Sequence, residues 1–286
     1  MNQLKQPIVI LGGDRRQKAA AEELIRRGYP VQTRELEPGG PDWRAEAAGA
    51  DILLLPAPCT RDNVCLFTPL SDSRVELKEL GALLRPSTLV IGGKLETLPA
   101  EQVCKEDLLT REDYQWRNAV PTAEAALALA LEQRQKTLHT SRCLVIGGGR
   151  IGQVLSRLLQ ALGAIVCVSA RKSADLARTE ALGMEAYRTE QIRDIADRFD
   201  LIFNTVPALV LDRRVLERVS DQCIILDLAS APGGTDRLAA EAFGRTVISA
   251  PGLPGKVTPI TAGIIVARTV DEIIHSTNGR KNTHGQ

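Results

Sequence analysis

Short aliphatic and β-branched runs alternate along the chain with stretches whose apolar positions recur every three to four residues, and the alternation occurs twice. Ile8 to Leu11 predicts a buried strand, Arg16 to Arg27 a helix stopped by Gly28, and Asp51 to Leu55 and Thr88 to Ile91 two further strands. Between those two, Val75 to Leu84 predicts a helix through Val75, Leu77, Leu80, Leu83 and Leu84. Pro121, at a first-turn position, opens an Ala/Leu-rich helix that runs to about residue 135. Beyond it, Cys143 to Ile146, Ile165 to Ser169, Leu201 to Asn204, Cys223 to Asp227 and Thr246 to Ile248 predict a second set of strands. A Pro/Gly-rich loop, Pro251 to Pro259, then leads to a last helix, Ile260 to Ile274, and a polar tail from Ser276 that is expected to fray.

Strands separated by helices imply parallel sheets with helices on both faces. The expected class is α/β, with two Rossmann-like, doubly wound parallel-sheet domains joined by hinge helices. The first spans 1–120, a linking helix 121–139, the second domain 140–257, and 258–286 returns to the first. The length of 286 residues suits this division, since it exceeds what one core usually supports.

Composition narrows the function. A formal charge of +1 supplies no field to gather nucleic acid, and aromatics at 3% leave few platforms for stacking bases. No apolar run approaches the roughly eighteen residues of a membrane span, and the short run after Lys5 is too brief for an export signal. The six cysteines form no CxxC pair and no metal-type spacing with the three histidines. Cys143, Cys167 and Cys223 fall in expected strands and read as small buried hydrophobes. A reduced, cytoplasmic protein without a metal fits these features.

The strongest local signal is Gly147-Gly148-Gly149-Arg150-Ile151-Gly152, a G-x-G-x-x-G that follows the strand Leu144-Val145-Ile146 and opens a helix with Val154, Leu155, Leu158, Leu159 and Leu162 on its apolar face. Gly147 serves the tight turn, Gly149 lets the backbone approach a pyrophosphate, and Gly152 lets the helix pack closely on the strand. The helix N-terminus adds free N–H groups and partial positive charge. An NAD site would place an acid about twenty residues on, at the end of the second strand. Here that segment reads Ser169-Ala170-Arg171-Lys172-Ser173, two cations and two hydroxyls suited to a 2′-phosphate, so the expected cofactor is NADP. Asn204-Thr205-Val206-Pro207 follows a buried strand and is expected near the nicotinamide, with Asp227 at the end of the next strand orienting the loop below it.

Several further motifs resemble the A subunit of dipicolinate synthase, a spore-associated family. They are Leu11-Gly12-Gly13-Asp14-Arg15-Arg16-Gln17, Val120-Pro121-Thr122-Ala123-Glu124, Asp227-Leu228-Ala229-Ser230 with Pro232-Gly233-Gly234-Thr235-Asp236, and Ala250-Pro251-Gly252-Leu253-Pro254-Gly255-Lys256-Val257, continued by Pro259 and Thr261-Ala262-Gly263. Ala125 stands where the family commonly has Gly, and Ala231 where it commonly has Arg. The resemblance implies an NADP-dependent oxidoreductase that takes a dihydrodipicolinate-level precursor to pyridine-2,6-dicarboxylate during sporulation. It also implies a flavoprotein-like partner, the B subunit of dipicolinate synthase, and the mother-cell cytoplasm of a spore-forming bacterium. Self-association into a homo-oligomer stays open.

Donors for a dicarboxylate are expected from the carboxyl ends of the first-domain strands and the start of the helix at Pro121, facing the nicotinamide across an interdomain cleft. Gly12, Gly13, Asp14 and Thr122 supply backbone or polar groups there, and Arg15 and Lys94 supply charge, unless those two cations are merely solvated. Glu124 is either a general base or a first-turn glutamate favoured by the helix dipole. His139 reads as structural. Two other functions remain open at this level. One is a generic two-domain dehydrogenase of the alanine or methylenetetrahydrofolate dehydrogenase kind, and the other is a non-catalytic NADP-binding subunit of a flavoprotein complex.

Overall fold

A computed structural model describes residues 6–230 and 232–283, with side chains as far as 277. The chain divides into two compact units, one running to Asn118 and resuming at Thr258, the other spanning Ala119–Val257.

The first unit comprises β1 (Ile8–Leu11), α1 (Arg15–Arg26), β2 (Val31–Arg34), α2 (Arg44–Gly49), β3 (Ile52–Leu54), α3 (Leu77–Leu83), β4 (Leu89–Gly92), β5 (Cys104–Asp107) and the first part of α4 (Glu112–Arg134). Its sheet is wholly parallel in the order β2-β1-β3-β4-β5. Every residue of β1 and β3 is buried, which is why these strands are uninterrupted apolar runs with no polar alternation. On one face Ala20 and Leu24 of α1 pack with Val266, Val270 and Ile273, and on the other Ala47, Leu77 and Leu80 pack against Val9, Leu53 and Val90. Asp14 caps α1 by accepting from the Arg16 N–H (2.9 Å), and Gly28, at φ +85°, ends it through bonds from Gly28 N to Ile25 O and Tyr29 N to Leu24 O.

The second unit contains β6 (Arg142–Ile146), α5 (Arg150–Ala161), β7 (Ile165–Ala170), α6 (Ser173–Ala181), β8 (Glu185–Arg188), α7 (Ile192–Ile195), β9 (Leu201–Asn204), α8 (Arg213–Leu216), β10 (Ile224–Asp227), α9 (Arg237–Ala242), β11 (Thr246–Ser249) and α10 (Leu253–Val257). Its parallel strands lie in the order β11-β10-β9-β6-β7-β8. Counted within the unit this is the doubly wound Rossmann order, with its reversal between β6 and β9. The first sheet follows the flavodoxin-like order and reverses between β1 and β3. Each reversal sends the following helices to opposite faces and leaves a crevice at the carboxyl ends of its two strands.

Three expectations are corrected. The helix expected to open at Pro121 begins at Glu112, and Pro121 lies inside it. The ring removes one backbone donor, but the helix is held on both sides of that point: Tyr114 is buried in the first unit's core, and Ala123, Ala126 and Ala130 in the second's. The edge strands β2, β5 and β8 were not foreseen, because Val-Gln-Thr-Arg, Cys-Lys-Glu-Asp and Glu-Ala-Tyr-Arg lack the apolar runs of central strands. The final helix, α11, runs Pro259–Thr283 rather than stopping at Ile274, and the short α10 interrupts the loop before it. Ala231 and residues 284–286 lie outside the described residues, whereas Ala125 is fully buried in the second unit's core.

Burial sorts the thiols. Cys59, Cys143, Cys167 and Cys223 are buried, Cys65 is half-buried and Cys104 exposed. Loss of hydration pushes Cys143, Cys167 and Cys223 up to about 12, and Cys59 upward as well. Thiolate is the reactive form, so native protein treated with a thiol-specific disulfide reagent near neutral pH is expected to titrate at Cys65 and Cys104, and the other four only on unfolding.

Candidate functional site at the carboxyl ends of the strands

In the second unit the turn from β6 into the first residues of α5 places Gly147, Gly149 and Gly152 in three different environments. Gly147 turns the chain at φ +111°, and a β-carbon there would meet Thr205 Oγ1 at 2.4 Å. A β-carbon on Gly152 would stand 1.9 Å from the Gly147 carbonyl oxygen, so helix and strand approach as no other residue would allow. On Gly149 it would meet nothing within 4 Å. That open space lies at the N-cap of α5, where no side chain caps the helix, so a ligand phosphate can approach first-turn N–H groups. Gln153 fixes the loop by donating from Nε2 to Gly148 O (2.9 Å). Arg150 and Ile151 are the first two residues of α5, and Ile151 also packs on the core.

Neighbouring strand ends complete the rim. Thr205 donates to Ile146 O from both its N–H (3.0 Å) and its hydroxyl (2.9 Å), tying the end of β9 to that of β6 across the reversal. Val206 is half-buried beside Gly147, and Pro207 is exposed. Asn204 and Asp227 are turned inward. Asn204 Nδ2 donates to Asp227 Oδ1 (2.8 Å) and to Val206 O, and its Oδ1 accepts from Val206 N–H. The Asp227 carboxylate also accepts from Gly234 N–H (2.9 Å), Thr235 Oγ1 (2.9 Å) and Ala229 N–H (3.3 Å). Both side chains are therefore occupied in holding the loops. A β-carbon on Gly234 would press on Asn204 Nδ2 at 2.3 Å, which explains the glycine in Pro232-Gly233-Gly234-Thr235.

At the end of β7, Arg171, Lys172 and Ser173 are exposed, with no carboxylate among them. Ser169 and Ala170 are buried within the strand, and the Ser169 hydroxyl bonds to no described residue. The hydroxyls of the segment thus reduce to Ser173, which accepts from Arg188 Nη2 (3.4 Å). Arg188 ends β8 opposite Ala170 and had no sequence signal, because β8 itself was not legible.

In the first unit, loops after β1, β3 and β4 are joined backbone to backbone. Gly13 N–H donates to Phe67 O (2.8 Å) and Cys59 N–H to Gly93 O (2.7 Å). Gly12 and Gly13 have φ of +71° and +105°. The Asp14 carboxylate is committed to Arg16, which pairs with it through Nε (2.9 Å) and Nη2 (3.0 Å) and also donates to Ala57 O (3.0 Å). Arg15 is exposed at the start of α1. Lys94 adopts a left-handed conformation, φ 62°, and its ammonium donates to Asn63 Oδ1. Asn63 was not foreseen, although Asn is among the residues that tolerate its φ of 64°. Thr122 is buried and Glu124 exposed, both well inside α4, so neither stands at a helix N-terminus.

Two parallel sheets with a glycine-lined cradle at the reversal of the second define the class by fold, a pair of Rossmann-like α/β units as in dehydrogenase structures. The family model for the N-terminal domain of the dipicolinate synthase A subunit matches residues 7–110. The A subunit of dipicolinate synthase from Bacillus subtilis (strain 168) is 35% identical over 230 residues, 78% of this chain and 77% of that protein. The crystal structure of dipicolinate synthase, A chain, from Bacillus subtilis superposes with a TM-score of 0.85 at 30% identity, covering 98% of this chain and 99% of that one. L-alanine dehydrogenase, at 14% identity and a TM-score of 0.63 over 95% of this chain and 90% of its own, shares the fold alone. The chain belongs to the family of dipicolinate synthase A subunits.

The glycine environments separate two substitutions. Gly152→Ala is expected to cost about 3 kcal/mol of stability, because its β-carbon meets a backbone carbonyl, whereas Gly149→Val costs about 1 kcal/mol or less. Denaturant unfolding of the second unit checks the order. Asp62 supports the turn that carries Asn63: its carboxylate accepts from Cys65 N–H (2.8 Å), Val64 N–H (2.9 Å) and Thr60 Oγ1 (3.0 Å), which lowers it from 3.8 to about 2. A lowered carboxyl stabilises above its unfolded value and ceases to do so as pH falls through its folded value. Carbon-detected NMR titration should therefore place Asp62 near pH 2, with the Asn63 amide shifting in the same step.

Proposed function

We propose that this chain is the dinucleotide-binding, oxidoreductase subunit of a dipicolinate synthase, and that its dinucleotide is NADP. Family membership supports the reaction class. The observation that supports the cofactor choice is the end of β7, where exposed Arg171 and Lys172 stand in place of the carboxylate that would hold a ribose 2′-hydroxyl. In this reading Gly147 and Gly149 with the N-terminus of α5 hold the pyrophosphate, Arg171, Lys172 and Ser173 hold the 2′-phosphate, and Thr205 and Val206 flank the nicotinamide. Asn204 and Asp227 keep that flank in place. When bound, the cofactor accepts a hydride, so a dihydrodipicolinate-level substrate loses a hydride and a proton and becomes aromatic.

The substrate's two carboxylates call for donors, and the first-unit strand ends supply them from Arg15 and Lys94; the N–H groups of Gly12 and Gly13, expected to share this task, are taken by Arg34 O (2.9 Å) and Phe67 O (2.8 Å). A flavoprotein-like second subunit and the cytoplasm of a sporulating cell complete the proposal. Among the described residues no helix is long and apolar enough to cross a membrane. One observation favours a second reading. The carboxylates beside the cradle are engaged, Asp227 by the donors described and Asp175 by Arg178 (3.3 Å). A protein that binds NADP while its partner takes the proton would have this arrangement.

Calorimetric titration with NADPH and NADH tests the cofactor. NADPH is expected to bind at least roughly tenfold more tightly, and Arg171→Ala with Lys172→Ala to remove roughly 1.5–3 kcal/mol of that affinity while leaving NADH unchanged. Gly149→Val should abolish binding of both while lowering the melting temperature by no more than about 4 °C. Equal affinities for the two cofactors would refute the 2′-phosphate site. Dipicolinate formation from enzymatically generated dihydrodipicolinate, measured with and without the second subunit, separates the two readings.

A further inference from the structure

The loop after β3 carries a second cation that the proposed substrate site has not used. Arg61 is exposed, and its guanidinium carbon lies 3.9 Å from the centroid of the Phe67 ring. Among the described residues it has no hydrogen bond or ion pair, so the ring holds the cation while its N–H fork stays available. Phe67 is itself fixed, since its carbonyl accepts from Gly13 N–H (2.8 Å) and its N–H donates to Cys59 O (2.7 Å). A β-carbon on Gly12 would lie 3.1 Å from the same carbonyl, which seats this loop directly against the glycine turn after β1.

Two residues further on, Asn63 holds the Lys94 ammonium. Asn63 N–H donates to Thr60 Oγ1 (3.1 Å), and Asp62 supports the turn in which Asn63 takes a left-handed conformation; Lys94 is left-handed as well, a conformation non-glycine residues seldom adopt. The loop after β3 thus presents one cation, Arg61, and through Asn63 steadies a second of different geometry, Lys94, from the turn after β4. Arg61 is a planar fork suited to a bidentate carboxylate, and Lys94 is a point charge steadied by an amide.

We propose that Arg61 and Lys94 form a two-point clamp for a dicarboxylate, each engaging one carboxylate, with Phe67 and Asn63 as the residues that position them. The clamp rests on the reading of the first-unit strand ends as the substrate site, and it names what selects a diacid over a monoacid there. The phenyl platform keeps the guanidinium in place without neutralising it, as a carboxylate partner would. The fork therefore reaches the ligand with its charge intact.

The test uses the full chain and two probes, pyridine-2,6-dicarboxylate and pyridine-2-carboxylate, titrated calorimetrically. The wild type is expected to prefer the diacid, and Arg61→Ala and Lys94→Ala each to weaken diacid binding roughly ten- to hundredfold, the loss of one charge-assisted contact. Either change leaves one carboxylate contact, so the ratio of diacid to monoacid affinity falls toward unity in both variants. NADPH affinity and melting temperature stay at wild-type values. Phe67→Leu should give an intermediate loss for the diacid, because the platform goes but the charge remains. An unchanged ratio in Arg61→Ala, with a collapsed one in Lys94→Ala, overturns the clamp and leaves the substrate site standing. Unchanged ratios in both variants, or a wild type that binds neither acid, overturn the clamp and the substrate site together.

Discussion

The close approach of α5 to the end of β6 is the constraint on which the second unit depends. Only the missing β-carbon of Gly152 lets the helix sit against the Gly147 carbonyl. That approach fixes where the uncapped N-terminus of α5 points, and it leaves open the space beside Gly149 into which those N–H groups are directed. The Thr205 bonds to Ile146 O then draw the end of β9 to the same place. The buried Asn204–Asp227 pair keeps the next two strand-end loops from collapsing into it. The open glycine turn here is thus a consequence of backbone packing, with Arg171 and Lys172 exposed at the end of the neighbouring strand.

The first unit reaches a similar edge by a different route. Its glycine turn after β1 is closed by the carbonyl of Phe67 from the loop after β3, and Asp14 spends its carboxylate on the cap of α1 and on Arg16. Arg15 and Arg61 are exposed on this edge and Lys94 is half-buried, in loops that follow strands of the flavodoxin-like order. Parallel strands put their carboxyl ends on one edge, so each sheet gathers its loops there, and in each the strand reversal opens a gap between neighbours. The two edges differ in chemistry, since one leaves a helix N-terminus uncapped by a side chain and the other exposes side-chain charge.

Much of this was legible in the residues. The central strands, the three glycines of the cradle and the basic end of β7 can be read from runs and spacings, because each depends on a local requirement: burial on both faces, a particular φ, a missing side chain. Ser169 and Pro121 show where such reading fails. Ser169 belongs by position to the basic segment, but the strand extends one residue further and takes its hydroxyl into the sheet. Pro121 has the sequence context of a helix start, yet the polar turn from Glu112 continues into it because two cores hold the helix on either side. The edge strands pair through backbone groups that carry no sequence signature.

The sequence by itself determined the α/β class, the glycine turn between β6 and α5 and the absence of an acid in the segment that follows β7. These follow from periodicity and from residues whose backbone or charge has a single use. Only the tertiary structure decided which polar groups remain for a ligand. It turned Asn204, Asp227 and Asp14 to internal bonds, and it set Arg61 on Phe67 and Lys94 on Asn63. The physical reason is that a hydrogen-bonding group's availability depends on its neighbours in space, and those neighbours come from strands and loops far apart in the chain.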